Sequence, residues 1–462
     1  MNPIECPKIF SLIMLLNFST ILGFLTWFWL FAPIAGAQVP VNSPNYSINY
    51  KVHVTKSDPL LPRIEVQLRG ADEITDMTSL LQEGRYLQFR GDGKITQIGS
   101  DIVWKPMGLH ASLSYRVVVP HERKPGIYDS YGKKDWVITR TADLFPRKRL
   151  QFDKPGKSLT TVTFDLPPGW SAVSEMPENG ENSFRAFESN DYEYDRPTGW
   201  LLYGKIESRK ILAREAKITI AYPYDFIKSS ESPDAERVIR REKYLKWFEK
   251  KLTHMQEIYS KVIPLMADFL PEYAKEFLVI IGKDPMWRGG LSGENSLYLN
   301  RGVPNITKDH TSTLVHEYFH VSDGFIKDKI DAEWLIEGLA EFYSLRLLYD
   351  AKINSKKDFY KGITTLKEAG QWGANLTKSK KEKVLYKNAP VVLFVLDEML
   401  REKTGGVKSL NDVMPLLSAE SQPINTATFQ AKVEKVYGES LKRFFGAYVY
   451  GGKVPDYKKY LK

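Results

Sequence analysis

The chain has 462 residues, of which 43% are hydrophobic, 13% aromatic and 26% charged. These fractions exclude a disordered or collagen-like chain, and the length is enough for two or three domains with buried cores. The formal net charge of +9 is not concentrated in one segment. We interpret it as a solvated basic surface, with attraction to anionic surfaces or acidic substrates as the alternative. No nucleic-acid-binding motif accompanies the charge, so we expect no nucleic-acid partner.

Residues 1–37 differ from the rest of the chain, because they contain a long run without charged residues. Ala35-Gly36-Ala37 has the small-x-small pattern of a signal-peptide cleavage site, so we predict export with cleavage after Ala37. The apolar run over 9–31 is also long enough to remain uncleaved as a membrane anchor, which is the second interpretation. In both cases the rest of the chain is exported, to the periplasm or out of the cell. The only cysteine, Cys6, lies in this segment, which leaves no disulfide and no thiol nucleophile in the remainder.

Alternation of apolar and polar residues predicts a series of strands in the first half of the chain. These strands cover 46–54, 63–68, 112–119, 160–166 and 217–222. From 226 onwards the apolar residues recur at three- and four-residue steps, which is typical of amphipathic helices, and the one strand candidate is 276–282. We therefore predict an α+β fold, with a β-rich, sandwich-like region over 38–225 and a mainly helical domain over 226–462.

The stretch HEYFH places His316 and His320 four residues apart. On a helix both side chains project from one face, about one turn apart, and two imidazoles at this spacing can bind one zinc ion. Glu317 lies beside the first histidine, where its carboxylate can act on a water at the metal rather than on the metal. The alternative is a helix with one buried and one surface histidine and no metal.

A hydrolytic zinc site needs a third protein ligand and an open position for water. The segment EWLIEGLAEFY offers Glu333, Glu337 and Glu341. We predict Glu337 as the ligand. Glu341 lies one helical turn further on the same face and could accept a hydrogen bond from the outer N–H of a zinc-bound histidine. The equally weighted alternative for Glu341 is an exposed carboxylate that makes surface ion pairs.

HEYFH followed by WLIEGLAEFY resembles the gluzincin metallopeptidases, in particular the aminopeptidase N-like and glycyl aminopeptidase branch. In that family the metal glutamate lies in a Trp-Leu-x-Glu-Gly context on a second helix of a thermolysin-like domain. The resemblance implies one zinc ion bound by His316, His320 and Glu337, with Glu317 as general base. The sequence departs from the family in having 16 residues between His320 and Glu337, two fewer than usual, and in Ile336, where asparagine is common.

LYKNAPVVLFVLDEML resembles the Tyr-x-Lys-Gly-Ala helix of the same family. There the tyrosine hydroxyl stabilises the oxyanion of the tetrahedral intermediate, which implies this role for Tyr386, with Asn388 in place of the glycine. The alternative for Tyr386 is packing at the start of a helix.

GGLSGENSLYLN lies where the family has its substrate-binding strand, which implies Gly290 as part of that strand. In aminopeptidases a glutamate of this strand binds the free α-amine of the substrate. Two alignments compete here, since one places Glu294 at that position and the other places Ser292 there. The alternative for Glu294 is a turn residue without a role in binding.

We therefore predict an exported zinc peptidase that acts on peptides or proteins. We expect an aminopeptidase, in which Glu294 binds an α-amine. The alternative is an endopeptidase on the same scaffold, with Ser292 at that position. A third interpretation is a non-catalytic binding or assembly protein that retains the fold, against which the joint presence of ligands, base and tyrosine argues. Glycyl aminopeptidases usually add a C-terminal PDZ domain. The resemblance covers about 226–425, and the roughly 40 residues that follow are too few for such a domain, so we expect no PDZ domain.

Overall fold

A computed structural model describes residues 46–70, 74–81, 84–152, 156–188, 194–226, 235–270, 274–322 and 331–461, with backbone only for 235–241. The predicted signal or anchor segment 1–37 lies outside these ranges, as does most of the loop between HEYFH and WLIEGLAEFY. Residues Pro44–Lys462 form one compact unit.

The first part of the described chain is built from strands. These are β1 (Tyr46–Thr55), β2 (Asp58–Arg69), β3 (Ile74–Ser79), β4 (Tyr86–Gly91), β5 (Lys94–Ile98), β6 (Asp101–Lys105), β7 (His110–Val117), β8 (His121–Lys124), β9 (Ile127–Lys133), β10 (Trp136–Arg140), β11 (Lys148–Phe152), β12 (Ser158–Asp165), β13 (Ser171–Ser174), β14 (Ser183–Arg185), β15 (Trp200–Gly204), β16 (Ile206–Ala213) and β17 (Ala216–Pro223). A short helix, α1 (Thr141–Leu144), follows β10.

The alternation read from the sequence matches the burial of these strands. In β1 the side chains of Ile48, Tyr50 and Val52 are buried, and the residues between them are partly exposed. β1 pairs with β2 in antiparallel and with β12 in parallel orientation. The sheet order is β14-β12-β1-β2-β7-β4, and two further sheets have the orders β13-β15-β10-β9-β8 and β11-β3-β6-β5. The predicted β-rich region is confirmed, and each predicted strand is present.

The strands β10 and β15 lie between two hydrophobic cores. Alternate side chains of a strand point to opposite faces of its sheet. Val137, Leu201 and Tyr203 pack into the core of the β-rich region. Trp136 and Trp200, on the opposite face, pack into the core that continues into the helical part.

A fourth sheet joins the two parts of the chain. It adds β18 (Glu276–Gly282), β19 (Gly290–Ser292) and β20 (Ser296–Asn300) to the hairpin of β16 and β17, in the order β16-β17-β18-β20-β19. β17 pairs in parallel with β18, from Lys217 opposite Glu276 to Ala221 opposite Ile280. The boundary at 226 stays a prediction, and this pairing favours a start of the second domain before Ile206.

The second part of the chain is mainly helical, as predicted. Its helices are α2 (Ala235–Ala267), α3 (Thr313–Ser322), α4 (Glu333–Asp350), α5 (Lys356–Ala369), α6 (Ala389–Lys403), α7 (Met414–Ser418), α8 (Thr426–Tyr437) and α9 (Lys442–Phe444). A π-helical turn, Val384–Asn388, leads directly into α6. In the described part of the chain, no helix combines the length and apolar character needed to cross a bilayer.

The helices α4 and α6 pack closely at a glycine. A Cβ atom on Gly338 would lie 2.7 Å from Cβ of Ala389. The glycine therefore lets α6 and the π-helical turn approach the helix that carries Glu337. α4 itself is buried on almost every side, so it lacks the one-sided apolar stripe of a surface helix.

Candidate metal centre and active site

α3 and α4 bring the three predicted metal ligands together. Nε2 of His316 and Nε2 of His320 are 3.0 Å apart. Oε2 of Glu337 lies 3.4 Å from the first nitrogen and 3.3 Å from the second. Within the described ranges, these residues are the one group of histidine, cysteine and acidic side chains that converges in this way.

The donor atoms fit a zinc ion. Nitrogen and oxygen atoms bound to tetrahedral zinc at about 2.1 Å are separated from one another by roughly 3.4 Å. The three separations of 3.0–3.4 Å are close to that value. Oε2 of Glu337 is buried and makes no well-aligned hydrogen bond to any described residue. Such an oxygen is costly to bury unless another partner, such as a cation, compensates it.

The carboxylates and imidazoles of this cluster each stabilise the charged form of the other. Burial alone would lower the pKa of His316, but the carboxylates of Glu337 and Glu341 raise that pKa to about 10. Burial would likewise raise the pKa of Glu337, but the imidazoles of His316 and His320 hold it well below its usual value. The cluster therefore keeps Glu337 ionised, which is the form that binds a metal.

Glu341 orients His316 from the opposite side of the imidazole ring. Its Oε2 lies 3.1 Å from Nδ1 of His316, and the side chain is 10% exposed. Its other oxygen lies 3.7 Å from Nζ of Lys387, which also pairs with Asp309 at 2.8 Å. Glu341 is therefore buried and paired, whereas the alternative was an exposed surface carboxylate. The hydrogen bond keeps a proton on Nδ1, so a metal that binds this ring would replace the proton on Nε2.

Glu317 follows His316 on α3 and lies close to the edge strand β19. A Cβ atom added to Gly290 would lie 3.1 Å from Oε1 of Glu317 and 2.8 Å from Cγ2 of Thr313. A glycine at 290 thus lets β19 lie directly against the carboxylate. The structure thus places Gly290 close to Glu317, and both are predicted site residues.

Tyr386 completes the cluster from the π-helical turn. Its ring stacks on the imidazole of His316 at a centroid distance of 5.6 Å and an angle of 14°. Burial, together with the negative charge of Glu337, raises the pKa of Tyr386 well above its usual value, so the phenol remains a donor. Lys387 follows Tyr386 directly, without the intervening residue of the family pattern. The π-helical turn buries Leu385, and Tyr386 beside it is partly buried against His316.

Both candidate positions for amine binding line one cavity. Ser292 and Glu294 border a cavity of about 300 Å³, whose other wall comes from the β-rich region. Glu294 is exposed, and Ser292 is partly buried. The structure therefore brings both alternatives to the same place.

Sequence reasoning missed a second glutamate behind this cavity. Glu175 is 4% exposed and accepts hydrogen bonds from the backbone N–H of Asn295 at 2.9 Å, from Thr198 at 2.9 Å and from the Ser296 hydroxyl. Burial raises the pKa of Glu175, and the hydrogen bonds oppose that effect. No spacing in the sequence indicates this contact, because 120 residues separate Glu175 from Asn295.

No protein-family model matches the sequence, and no curated protein matches it. The fold does match solved structures. An aminopeptidase N family protein from Idiomarina loihiensis superposes with a TM-score of 0.64 at 16% identity, covering 88% of this chain and 76% of that one. An M1 zinc metallopeptidase from Deinococcus radiodurans, bound to a Tyr-Ser-Ala substrate, superposes with a TM-score of 0.51 at 13% identity, covering 89% and 94%.

The chain therefore has the fold of the aminopeptidase N-like zinc metallopeptidases. The resemblance drawn from HEYFH and WLIEGLAEFY is confirmed at the level of the fold. So is the predicted order of a β-rich region followed by a helical, thermolysin-like part.

Proposed function

We propose that the protein is a zinc-dependent peptidase. The observation that carries the proposal is the convergence of His316, His320 and Glu337 on one point. Glu317 and Tyr386 lie beside that point, on the two elements that flank it. The similarity in fold to zinc metallopeptidases supports the same conclusion.

Each residue of the site then has a separate role in hydrolysis. Zinc bound by His316, His320 and Glu337 would polarise the scissile carbonyl and acidify the attacking water. Glu317 takes a proton from that water and passes it to the leaving amine. The hydroxyl group of Tyr386 donates a hydrogen bond to the substrate oxygen on which negative charge develops. Glu341 acts on neither substrate nor water, and holds His316 in the orientation that binding requires.

We propose an aminopeptidase, with Glu294 as the group that binds the substrate's α-amine. Its exposed carboxylate on the wall of a cavity beside β19 supports this role. An endopeptidase is the second candidate. Ser292 favours it, since this residue is the one that lies on β19 and it carries no charge for an amine.

The two candidates are separated with matched peptides whose N-termini are free or acetylated. The zinc-loaded protein is incubated with both, and the products are identified by mass spectrometry. Removal of single residues from the free peptides alone would support an aminopeptidase. Internal cuts in both peptides would support an endopeptidase, and no cut in either, with zinc bound, would contradict the proposed hydrolysis.

We also propose export through residues 1–37. The long apolar run and the Ala35-Gly36-Ala37 pattern support this proposal. Sequencing the N-terminus of the protein from its native host tests it. A mature chain that begins at Gln38 supports cleavage, an intact segment recovered with membranes supports an anchor, and an intact segment in the cytoplasm contradicts export.

A further inference from the structure

The cavity beside β19 is close to the proposed cleavage site. Gly290, at one end of the strand, lies close to Glu317, since a Cβ atom added to it would be 3.1 Å from Oε1 of that residue. Ser292, at the other end, lines the cavity. Two residues along a strand correspond to roughly 7 Å. A peptide bound at the metal centre therefore has a side chain within reach of the cavity.

The described lining of the cavity carries more basic than acidic side chains. Among these residues are Arg140, Arg147 and Arg196, and one carboxylate, that of Glu294. Its remaining walls are apolar or neutral, with Tyr50 and Trp200 among them. A volume of about 300 Å³ is at the lower end of the range for ligand pockets and suits one side chain with its water.

Arg140 is held in a fixed orientation in this cavity. It ends β10, opposite Trp200 of β15, and its guanidinium lies 4.8 Å from the centre of the indole ring. Trp200 is itself fixed to the strand on the substrate side, because its Nε1–H donates to the carbonyl of Leu291 at 3.0 Å. A guanidinium stacked in this way keeps the N–H groups of its edge available to a planar acceptor.

The guanidinium of Arg140 has an N–H group with no hydrogen-bond acceptor among the described residues. Its Nε is buried and has no hydrogen-bond partner among the described residues. No described carboxylate forms an ion pair with the Arg140 guanidinium either, which is unusual for a cation that is largely removed from water. A bound carboxylate would supply the missing acceptors in a bidentate arrangement.

We infer that this cavity binds an acidic side chain of the peptide substrate, with Arg140 as the residue that determines the specificity. The inference rests on the proposed peptidase function and narrows its substrates to peptides with Asp or Glu at one position near the cleaved bond. Arg147 adds positive charge at the rim, and Glu294 remains available on the opposite wall for an α-amine.

The experiment is a scan of an eight-residue peptide with an amidated C-terminus, in which each position in turn is Glu or its neutral isostere Gln. kcat/KM is measured for every pair with wild-type protein, Arg140→Gln and Arg140→Lys. The control is Arg149→Gln, which removes an exposed arginine that does not line the cavity. Binding of the same pairs to zinc-loaded Glu317→Gln is measured by calorimetry, so that recognition is tested without hydrolysis.

We expect the wild-type protein and the Arg149→Gln control to prefer Glu over Gln at least tenfold at one position. The ratio of kcat/KM for the Glu peptide to kcat/KM for the Gln peptide should fall to near 1 in Arg140→Gln. In Arg140→Lys it should lie between 1 and the wild-type value. Equal rates for every pair, or a preference that persists in Arg140→Gln, would each overturn the inference. If Arg140→Gln does not fold, Ser292→Asp, which places a negative charge in the cavity, must reduce the preference instead.

Failure of this inference differs from failure of the proposed function. Hydrolysis without an acidic preference leaves the peptidase intact and removes the role of Arg140. Tighter binding of the Glu peptide, without hydrolysis by the wild-type protein, would retain the acidic pocket and contradict the peptidase.

Discussion

Replacing Gly290 by alanine tests how β19 positions Glu317. The added Cβ would lie 2.8 Å from Cγ2 of Thr313, where ordinary contacts begin at 3.4 Å, so β19 or the side chains beneath it must move by about 0.6 Å. The contact with Oε1 of Glu317, at 3.1 Å, is short as well. A displacement of 1 Å at a reacting group can cost about 100-fold in rate, so we expect roughly a tenfold loss in kcat/KM.

The assay compares four proteins on one peptide substrate, with zinc content and melting temperature measured alongside. Gly446→Ala is the control, because no atom lies within 4 Å of the added Cβ. Adding Thr313→Ser to Gly290→Ala removes the methyl group that makes the shortest contact and should restore part of the activity. Wild-type kcat/KM in Gly290→Ala, or a loss of activity that Thr313→Ser does not relieve, would refute the packing of β19 against α3.

The remaining predictions concern other groups. Glu317→Gln should retain zinc and lose hydrolysis, and wild-type activity would remove the general base from the mechanism. Tyr386→Phe should lower kcat roughly 100-fold with little change in KM, and an unchanged kcat would exclude its role as oxyanion donor. Glu341→Gln should weaken zinc binding 10- to 100-fold in a chelator competition, while Glu333→Gln on the same helix should not; equal zinc affinities would leave Glu341 without an orienting role. Burial lowers the pKa of Lys148 to about 7. Between about pH 7 and pH 10 the Lys148 amine is then neutral in the folded state and protonated in the unfolded state. The free energy of unfolding should therefore rise with pH, by up to about 1.4 kcal/mol per pH unit relative to Lys148→Met. Parallel pH profiles from urea denaturation would contradict this.

The sequence was most informative where one face of an element is buried. β1 and β12 alternate clearly, and the structure confirms both. β5, with the sequence KITQI, has almost no buried residue and therefore no alternation to detect. β19 is three residues long and owes its position to pairing with β20, which local sequence does not encode.

The candidate site was predictable to the extent that its residues lie close in sequence. The spacing of HEYFH on one helix, and of Glu337 and Glu341 on the next, predicts which side chains share a helix face. The packing of α3 against α4 then brings these side chains together. The position of Tyr386 depends on a π-helical turn, which regular helical spacing does not predict. Arg140 and Glu175 reach the site from the β-rich region, over more than one hundred residues, and only the folded chain brings them there.

The β-rich region is part of the candidate active site. Glu175, which follows β13, accepts the backbone N–H of Asn295 and the hydroxyl of Ser296, and so fixes the turn between β19 and β20. Ser296 in turn accepts the backbone N–H of Trp200 at 3.0 Å. These contacts are buried, so removing either side would leave polar groups without partners, at a cost of about 1–3 kcal/mol each. The proposed metal ligands all lie on the helical part. The strand that faces Glu317, and the arginine that we assign to substrate recognition, depend on strands from the first half of the chain. A fragment that begins at 226 would therefore keep the proposed zinc ligands. It would lose β16 and β17 from the shared sheet, and the wall of the cavity that we assign to substrate recognition.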